Sequence, residues 1–160
     1  MKLLELEVDK KSYIKILCVF ILFIIILLVL TYTSLLKYEK ITLDQDIIIA
    51  NIGEEDMSVH IDILEHQGNK VEIVGWAYKE NEETKTINSN YVLKNRETGE
   101  MYKVRTRYEE NLNVPLEYRN AGLHSRFLSY GLANGTYDIY VLYKNNDNNI
   151  LANTGIHLDI

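Results

Sequence analysis

Four histidines, one cysteine and a scatter of carboxylates are the groups with which this 160-residue chain could bind a metal or run a reaction. His60, His66, His124 and His157 lie far apart, form no H-E-x-x-H pair and have no cysteine beside them, so zinc-ligand spacing is missing. Ser125 and Ser129 lack the G-x-S-x-G turn that presents a nucleophile, and the glycines compose neither a phosphate loop nor a dinucleotide fingerprint. Glu82-Glu83 and Glu109-Glu110 fall in polar stretches, where water keeps both carboxylates ionised instead of raising one into a general acid. The run Glu54-Glu55-Asp56 lacks the alternating acids about a turning glycine that a calcium loop needs. These residues predict no catalysis, no metal site and no cofactor.

Two other sets have types and spacing suited to binding. The stretch VEIVGWAY, residues 71–78, alternates Val71, Ile73, Gly75 and Ala77 with Glu72, Val74, Trp76 and Tyr78, and only one set can face a core. Tryptophan is mostly buried in small domains, which favours Trp76 and Tyr78 inside. With the other set inside, Trp76 and Tyr78 form an outward aromatic platform for a sugar ring or a partner protein. Lys103, Arg105 and Arg107 make a basic row on one face of a strand. That row either contacts a phosphate-rich wall polymer or is neutralised by acids on neighbouring strands.

The elements that must position these residues are strands. From Ser58 the period is two: Val59, Ile61 and Ile63 alternate with His60 and Asp62, Gln67-Gly68-Asn69 turns the chain, and residues 71–78 return. Tyr91 and Leu93 begin another strand, Arg96-Glu97-Thr98-Gly99 reads as a four-residue hairpin loop, and Tyr102, Val104 and Thr106 come back. Pairing Asn95 with Glu100 sets Leu93 opposite Tyr102 and Tyr91 opposite Val104, with Lys103, Arg105 and Arg107 on the other side. Residues 109–120, with the lone Pro115, read as a loop crossing between sheets. Leu132, a glycine turn at Gly135, and then Tyr137, Ile139, Val141 and Tyr143 on one face make a late passage common in immunoglobulin-like sandwiches. Asn145 to Asn149 predict a turn, and Ile156, Leu158 and Ile160 a last strand. About seven or eight short strands without a helical period predict an all-β, immunoglobulin-like antiparallel β-sandwich over residues 58–160.

Residues 16–36 are a run of 21 uncharged positions between Lys15 and Lys37. At about 1.5 Å per residue the run reaches about 31 Å, the thickness of a hydrocarbon core. It predicts one transmembrane α-helix over residues 13–36, after a cytoplasmic tail of residues 1–12 and before a stalk of residues 37–57. A cleavable signal peptide is the rival reading; its apolar region is shorter, and Thr31-Tyr32-Thr33-Ser34 fits the small-residue cleavage site badly. Tyr13 and Tyr32 stand near the two expected interfaces. Lys2, Lys10, Lys11 and Lys15 outnumber Lys37 and Lys40, which places the N-terminus in the cytoplasm and the C-terminal part outside. Cys18, the sole cysteine, lies inside the span, so the outer part must be held by an ordinary core without disulfides. Residues 38–160 carry 20 acidic against 12 basic groups, a net of −8. Such a charge repels nucleic acid at long range, which is excluded as a partner.

Gly75-Trp76-Ala77, Tyr91-Val92-Leu93-Lys94, Arg107, Ala121-Gly122 and Leu132-x-x-Gly135-x-Tyr137-x-Ile139 together resemble the small β-sandwich modules of Gram-positive surface and wall-polysaccharide proteins, over roughly residues 70–144. The resemblance implies an extracytoplasmic accessory module; the enzyme domains often joined to such modules are missing from this sequence. The expected function is binding of an envelope protein or a wall glycopolymer by a non-enzymatic sandwich anchored in the lipid bilayer. The alternative is a small accessory subunit of a membrane complex that docks through its transmembrane helix.

Overall fold

The structure, a computed structural model, describes residues 10–36, 38–51, 53–82, 88–110, 114–145 and 148–160. Most of the expected cytoplasmic tail, the middle of the crossing loop at 111–113, Glu83 and the centre of the asparagine turn at 146–147 lie outside the described residues. The chain divides into two compact units, Met1–Leu35 and Leu36–Ile160.

The first unit is one α-helix, Lys10–Leu36, of 27 residues. Its apolar side chains point in every direction, and residues 12–31 are all exposed. The 20 residues Ser12–Thr31 are long and apolar enough to cross a bilayer, a property that a membrane anchor and a signal sequence share. The Thr31 hydroxyl donates to the Leu28 carbonyl at 2.9 Å, so this polar group is satisfied within the helix.

The second unit is built of ten described strands: β1 Tyr38–Ile41, β2 Ile48–Ala50, β3 Met57–Gln67, β4 Lys70–Lys79, β5 Asn90–Asn95, β6 Met101–Val104, β7 Arg107–Glu109, β8 Gly122–Leu128, β9 Thr136–Asn145 and β10 Asn148–Asp159. They form a six-stranded sheet ordered β1-β6-β5-β9-β10-β2 and a four-stranded sheet ordered β3-β4-β8-β7. All pairs are antiparallel except β2 on β10. Alternation decides what lies between the sheets. Val71, Ile73 and Ala77 of β4 and Leu123 and Phe127 of β8 meet Tyr91, Leu93, Tyr137, Ile139, Val141 and Tyr143 in one apolar core, giving a sandwich-like arrangement.

Buried tyrosines hold that core together because each hydroxyl finds an acceptor. Tyr91 donates to the Leu123 carbonyl at 3.2 Å, Tyr137 to the Ala133 carbonyl at 2.8 Å and Tyr143 to Glu82 at 3.1 Å. Burial, with Asp62 nearby, pushes the Tyr91 hydroxyl well above the usual tyrosine range. Gly75 supplies the close approach this requires. A Cβ there would overlap the His60 carbonyl and stand 3.0 Å from the Tyr91 hydroxyl.

The hairpin at residues 96–99 has the expected register, with Leu93 opposite Tyr102 and the Asn95 N–H bonded to the Glu100 carbonyl at 2.9 Å. Gly99 sits at φ +71°, a conformation costly to other residues. The chain then changes sheets at Arg105-Thr106. The Thr106 hydroxyl bonds the Val104 carbonyl at 3.0 Å, the Tyr91 N–H at 3.0 Å and the Ser125 hydroxyl at 2.9 Å, and so ties both sheets to the crossing point.

Two expectations are corrected here. The described part of residues 37–57 is no stalk: β1 and β2 are the two edges of the six-stranded sheet, and Ala50 and Met57 are in the core. The seven Cα steps from Ile41 to Ile48 span roughly 24 Å when extended, and five gaps between six strands at about 4.8 Å make roughly the same distance. Residues 42–47 therefore run as a strap over the outer face of that sheet. Ile41, Leu43 and Ile47 pack with Met101 on the outward Val92, Tyr140, Leu142 and Leu151, making a second apolar cluster. The crossing loop of residues 109–120 is also more ordered than expected, since it contains a 3-10 helix, Leu116–Ala121, entered at Pro115.

Candidate binding face

The outward side of the four-stranded sheet carries most of the residues singled out above. In β4 the buried set is Val71, Ile73, Gly75 and Ala77, so Trp76 and Tyr78 face away from the core. The expectation of a core tryptophan is overturned because the β3 backbone and Tyr91 press against position 75, leaving no room there for side chains that would invert the strand. Trp76 pairs with His60 of β3 on one side and Gly122 of β8 on the other.

Four rings stand in line on this surface. His60 and Trp76 have centroids 5.6 Å apart, Trp76 and Tyr78 stack at 5.4 Å, and Tyr78 stacks on Tyr118 at 4.0 Å with planes within 7°. Tyr118 comes from the 3-10 helix; it, Ala121 of the same helix and Val114 just before it lie against Trp76 and Tyr78. Its hydroxyl accepts the Asn81 N–H at 2.9 Å. Trp76 and Tyr78 each have a ring on both faces. The row is thus less a flat platform for a sugar than a clamp that seats the 3-10 helix on the sheet.

The basic row is divided by the sheet change. Lys103 lies in β6, on the outer face of the six-stranded sheet, and is ion-paired with Glu39 across the β1 register. Arg105 and Arg107 lie beyond the crossing and join His124 and Arg126 of β8 around a pocket of about 220 Å3. Antiparallel pairing makes the meeting inevitable: Arg107 is opposite His124, His124 is opposite Val74, and Arg126 is opposite Glu72.

Within this cluster the charges are unevenly matched. Arg126 forks onto Glu72, with Nη2 at 2.7 and 2.8 Å from the two oxygens and Nε at 3.2 Å. That hydrogen bond pulls the Glu72 carboxyl below the usual carboxylate range, helped by His124 and opposed by desolvation, and holds the Arg126 guanidinium more firmly charged. His124 stands between two acids, Nε2 at 2.9 Å from Glu72 and Nδ1 at 2.6 Å from Glu109. Both contacts are donated hydrogen bonds only when both ring nitrogens carry protons. Arg105 and Arg107 are exposed and form no ion pair among the described residues.

No family model, curated protein or solved structure matches this chain. The face must therefore be read from its own chemistry. It offers three arginines and a histidine around one pocket, a lining that suits an anion. Among the described residues no group of three or more histidines, cysteines and carboxylates is placed to hold a metal ion. Sequence reasoning missed His124, Arg126 and Tyr118. The first two had a visible signal: in GLHSRFL, His124 and Arg126 alternate with the core residues Leu123, Ser125 and Phe127, so they share an outward face.

Proposed function

We propose that the chain is a single-pass membrane protein with its N-terminus in the cytoplasm, presenting outside the cell an immunoglobulin-like sandwich that binds an envelope protein or a wall glycopolymer and does no chemistry of its own. The order β3-β4-β8-β7 corresponds to the A-B-E-D sheet of that fold and β10-β9-β5-β6 to G-F-C-C′. The Tyr137 hydroxyl, bonded four residues back at the start of β9, matches the tyrosine corner of the same class. The lysine bias, the uniformly apolar helix and the likeness to Gram-positive surface modules support the anchored, outward placement.

One observation carries the binding reading. The two sheets are covered differently: residues 42–47 close the outer face of the six-stranded sheet with apolar side chains, while the four-stranded sheet leaves arginines around an open pocket. A photo-crosslinking residue placed at His60 or Leu128, in the full chain in its own membrane, is expected to trap a ligand. The same residue at Lys94 or Lys103, on the strapped side, is expected to trap nothing. Exchange of residues 16–36 for an unrelated span leaves the adducts in place under this reading. Adducts that require the native span would instead make the helix the binding element.

A further inference from the structure

We infer that the pocket walled by Arg105, Arg107, His124 and Arg126 binds a phosphate-type oxyanion, a phosphomonoester or phosphodiester group borne by the docked ligand. The inference rests on the reading above only in the choice of face. Its physical basis is local charge against the background. Residues 38–160 are net negative by 8, yet here three guanidiniums and a histidine line one pocket of about 220 Å3, and the nearby carboxylates Glu72, Glu109 and Glu65 stand beside that lining and not in it.

The carboxylates are also engaged in a way that leaves donors over. His124 lies between Glu109 and Glu72, with Nδ1 2.6 Å from the first and Nε2 2.9 Å from the second, and Glu72 takes only Nε and Nη2 of Arg126. Arg126 Nη1 keeps both hydrogens outside that fork, and Arg105 and Arg107 keep all of theirs among the described residues. The ion pair with Glu72 fixes Arg126 before any ligand arrives, which lowers the ordering cost of binding. The main chain at Arg105 is fixed as well: its carbonyl accepts the buried Ser125 hydroxyl at 3.2 Å, and the Thr106 hydroxyl accepts the Tyr91 N–H and donates to the Val104 carbonyl.

Shape then selects the anion. A planar carboxylate presents two oxygens to one guanidinium fork, whereas a tetrahedral phosphate presents oxygens in three directions and can meet three arginines at once. The net charge of the sandwich opposes every polyanionic source at long range, an anionic membrane surface and a phosphodiester polymer alike, so the vesicle and oligomer arms of the test decide the source.

The test uses the full chain in uncharged detergent micelles, followed through the arginine Nε–H signals by NMR. Titrants are inorganic phosphate, glycerol phosphate, a phosphodiester-linked glycerol phosphate oligomer and acetate, with anionic and neutral vesicles tested for flotation. The expected result is that phosphate and its esters move the Arg105, Arg107 and Arg126 signals and acetate does not. The oligomer binds tighter than the monoester if a polymer is the natural source and equally if the small ester is. Arg105→Ala and Arg107→Ala are each expected to weaken binding roughly tenfold to hundredfold, the ratio set by one charge-assisted hydrogen bond. Both side chains are exposed, so the variants fold, and Lys103→Ala serves as the unchanged control. Equal response to acetate, retained phosphate binding in the double arginine variant, or binding to anionic vesicles alone would each overturn the inference. Phosphate binding without crosslinks at His60 would sink the docking reading and leave the oxyanion site standing.

Discussion

The two outer faces of this sandwich start from the same strand periodicity and end in opposite states. On the six-stranded sheet the outward positions of β5, β9 and β10 include Val92, Tyr140, Leu142 and Leu151, apolar groups that water would not tolerate as a patch. The chain covers them with its own residues 42–47. On the four-stranded sheet the outward positions include Glu72, His124, Arg126 and Arg107, charged or polar groups that need no apolar cover, and the aromatic row beside them is covered by Val114 and two turns of 3-10 helix. The lesson is that alternation says a strand has two faces, while the chemistry of the second face says whether something else must lie on it. A hydrophobic second face demands a strap; a charged one is free to meet a ligand.

The largest effect expected from breaking this contrast lies on the strapped side. Leu151 is fully buried although it faces away from the main core. Leu151→Ala is expected to cost about 2–5 kcal/mol in denaturant unfolding, the range for a buried leucine. A cost below about 1 kcal/mol, within the range of an exposed site, would mean that the strap does not make a second core.

The aromatic row supplies an intermediate effect. Tyr118→Ala removes a ring stacked on Tyr78 and an acceptor for the Asn81 N–H, and these two losses together should cost about 1–3 kcal/mol. Tyr118→Phe keeps the stack and should lose only about 1 kcal/mol. If the two variants were equally stable, the ring stack would not be what seats the 3-10 helix.

These contrasts also explain what could be read from the residues alone. The hairpin from Asn95 to Glu100 was legible because two independent signals, a glycine loop and matched alternation, gave the same register. The strap was not, because ITLDQDIIIA has β-branched residues at its ends and polar ones between, a pattern shared by a stalk, a loop and two short edge strands. Only the distance between the sheet edges tells them apart. The orientation of β4 was undecidable from composition, since both of its sets are largely apolar, and it was Gly75 that settled it by admitting the β3 backbone. Lys103, Arg105 and Arg107 show a limit of another kind. Equal spacing placed them on one row, but the sheet change at Thr106, a tertiary event fixed by Ser125 and Tyr91, sent Lys103 to one sheet and Arg107 to the other.

The smallest expected effect sharpens the charged side of the comparison. Glu72 has its carboxyl held below the usual value near 4.3, first by the Arg126 hydrogen bond. The folded state then binds fewer protons at Glu72 than the unfolded chain does in mild acid, so stability rises with pH across that window. Its contribution is complete above the unfolded value and disappears as pH falls through the lower folded one. Melting temperatures of the native chain and Glu72→Gln should therefore differ by a few degrees at most near pH 7, the size expected of a surface ion pair, and converge below about pH 4. High salt should narrow the gap at neutral pH, since both partners are accessible to ions. A gap unchanged from pH 7 to pH 2 would show that Glu72 acts by packing, and Arg126 would then need another partner to hold it at the pocket wall. The strapped face has no such carboxylate in its apolar cluster, so Leu151→Ala should cost the same at both ends of that range.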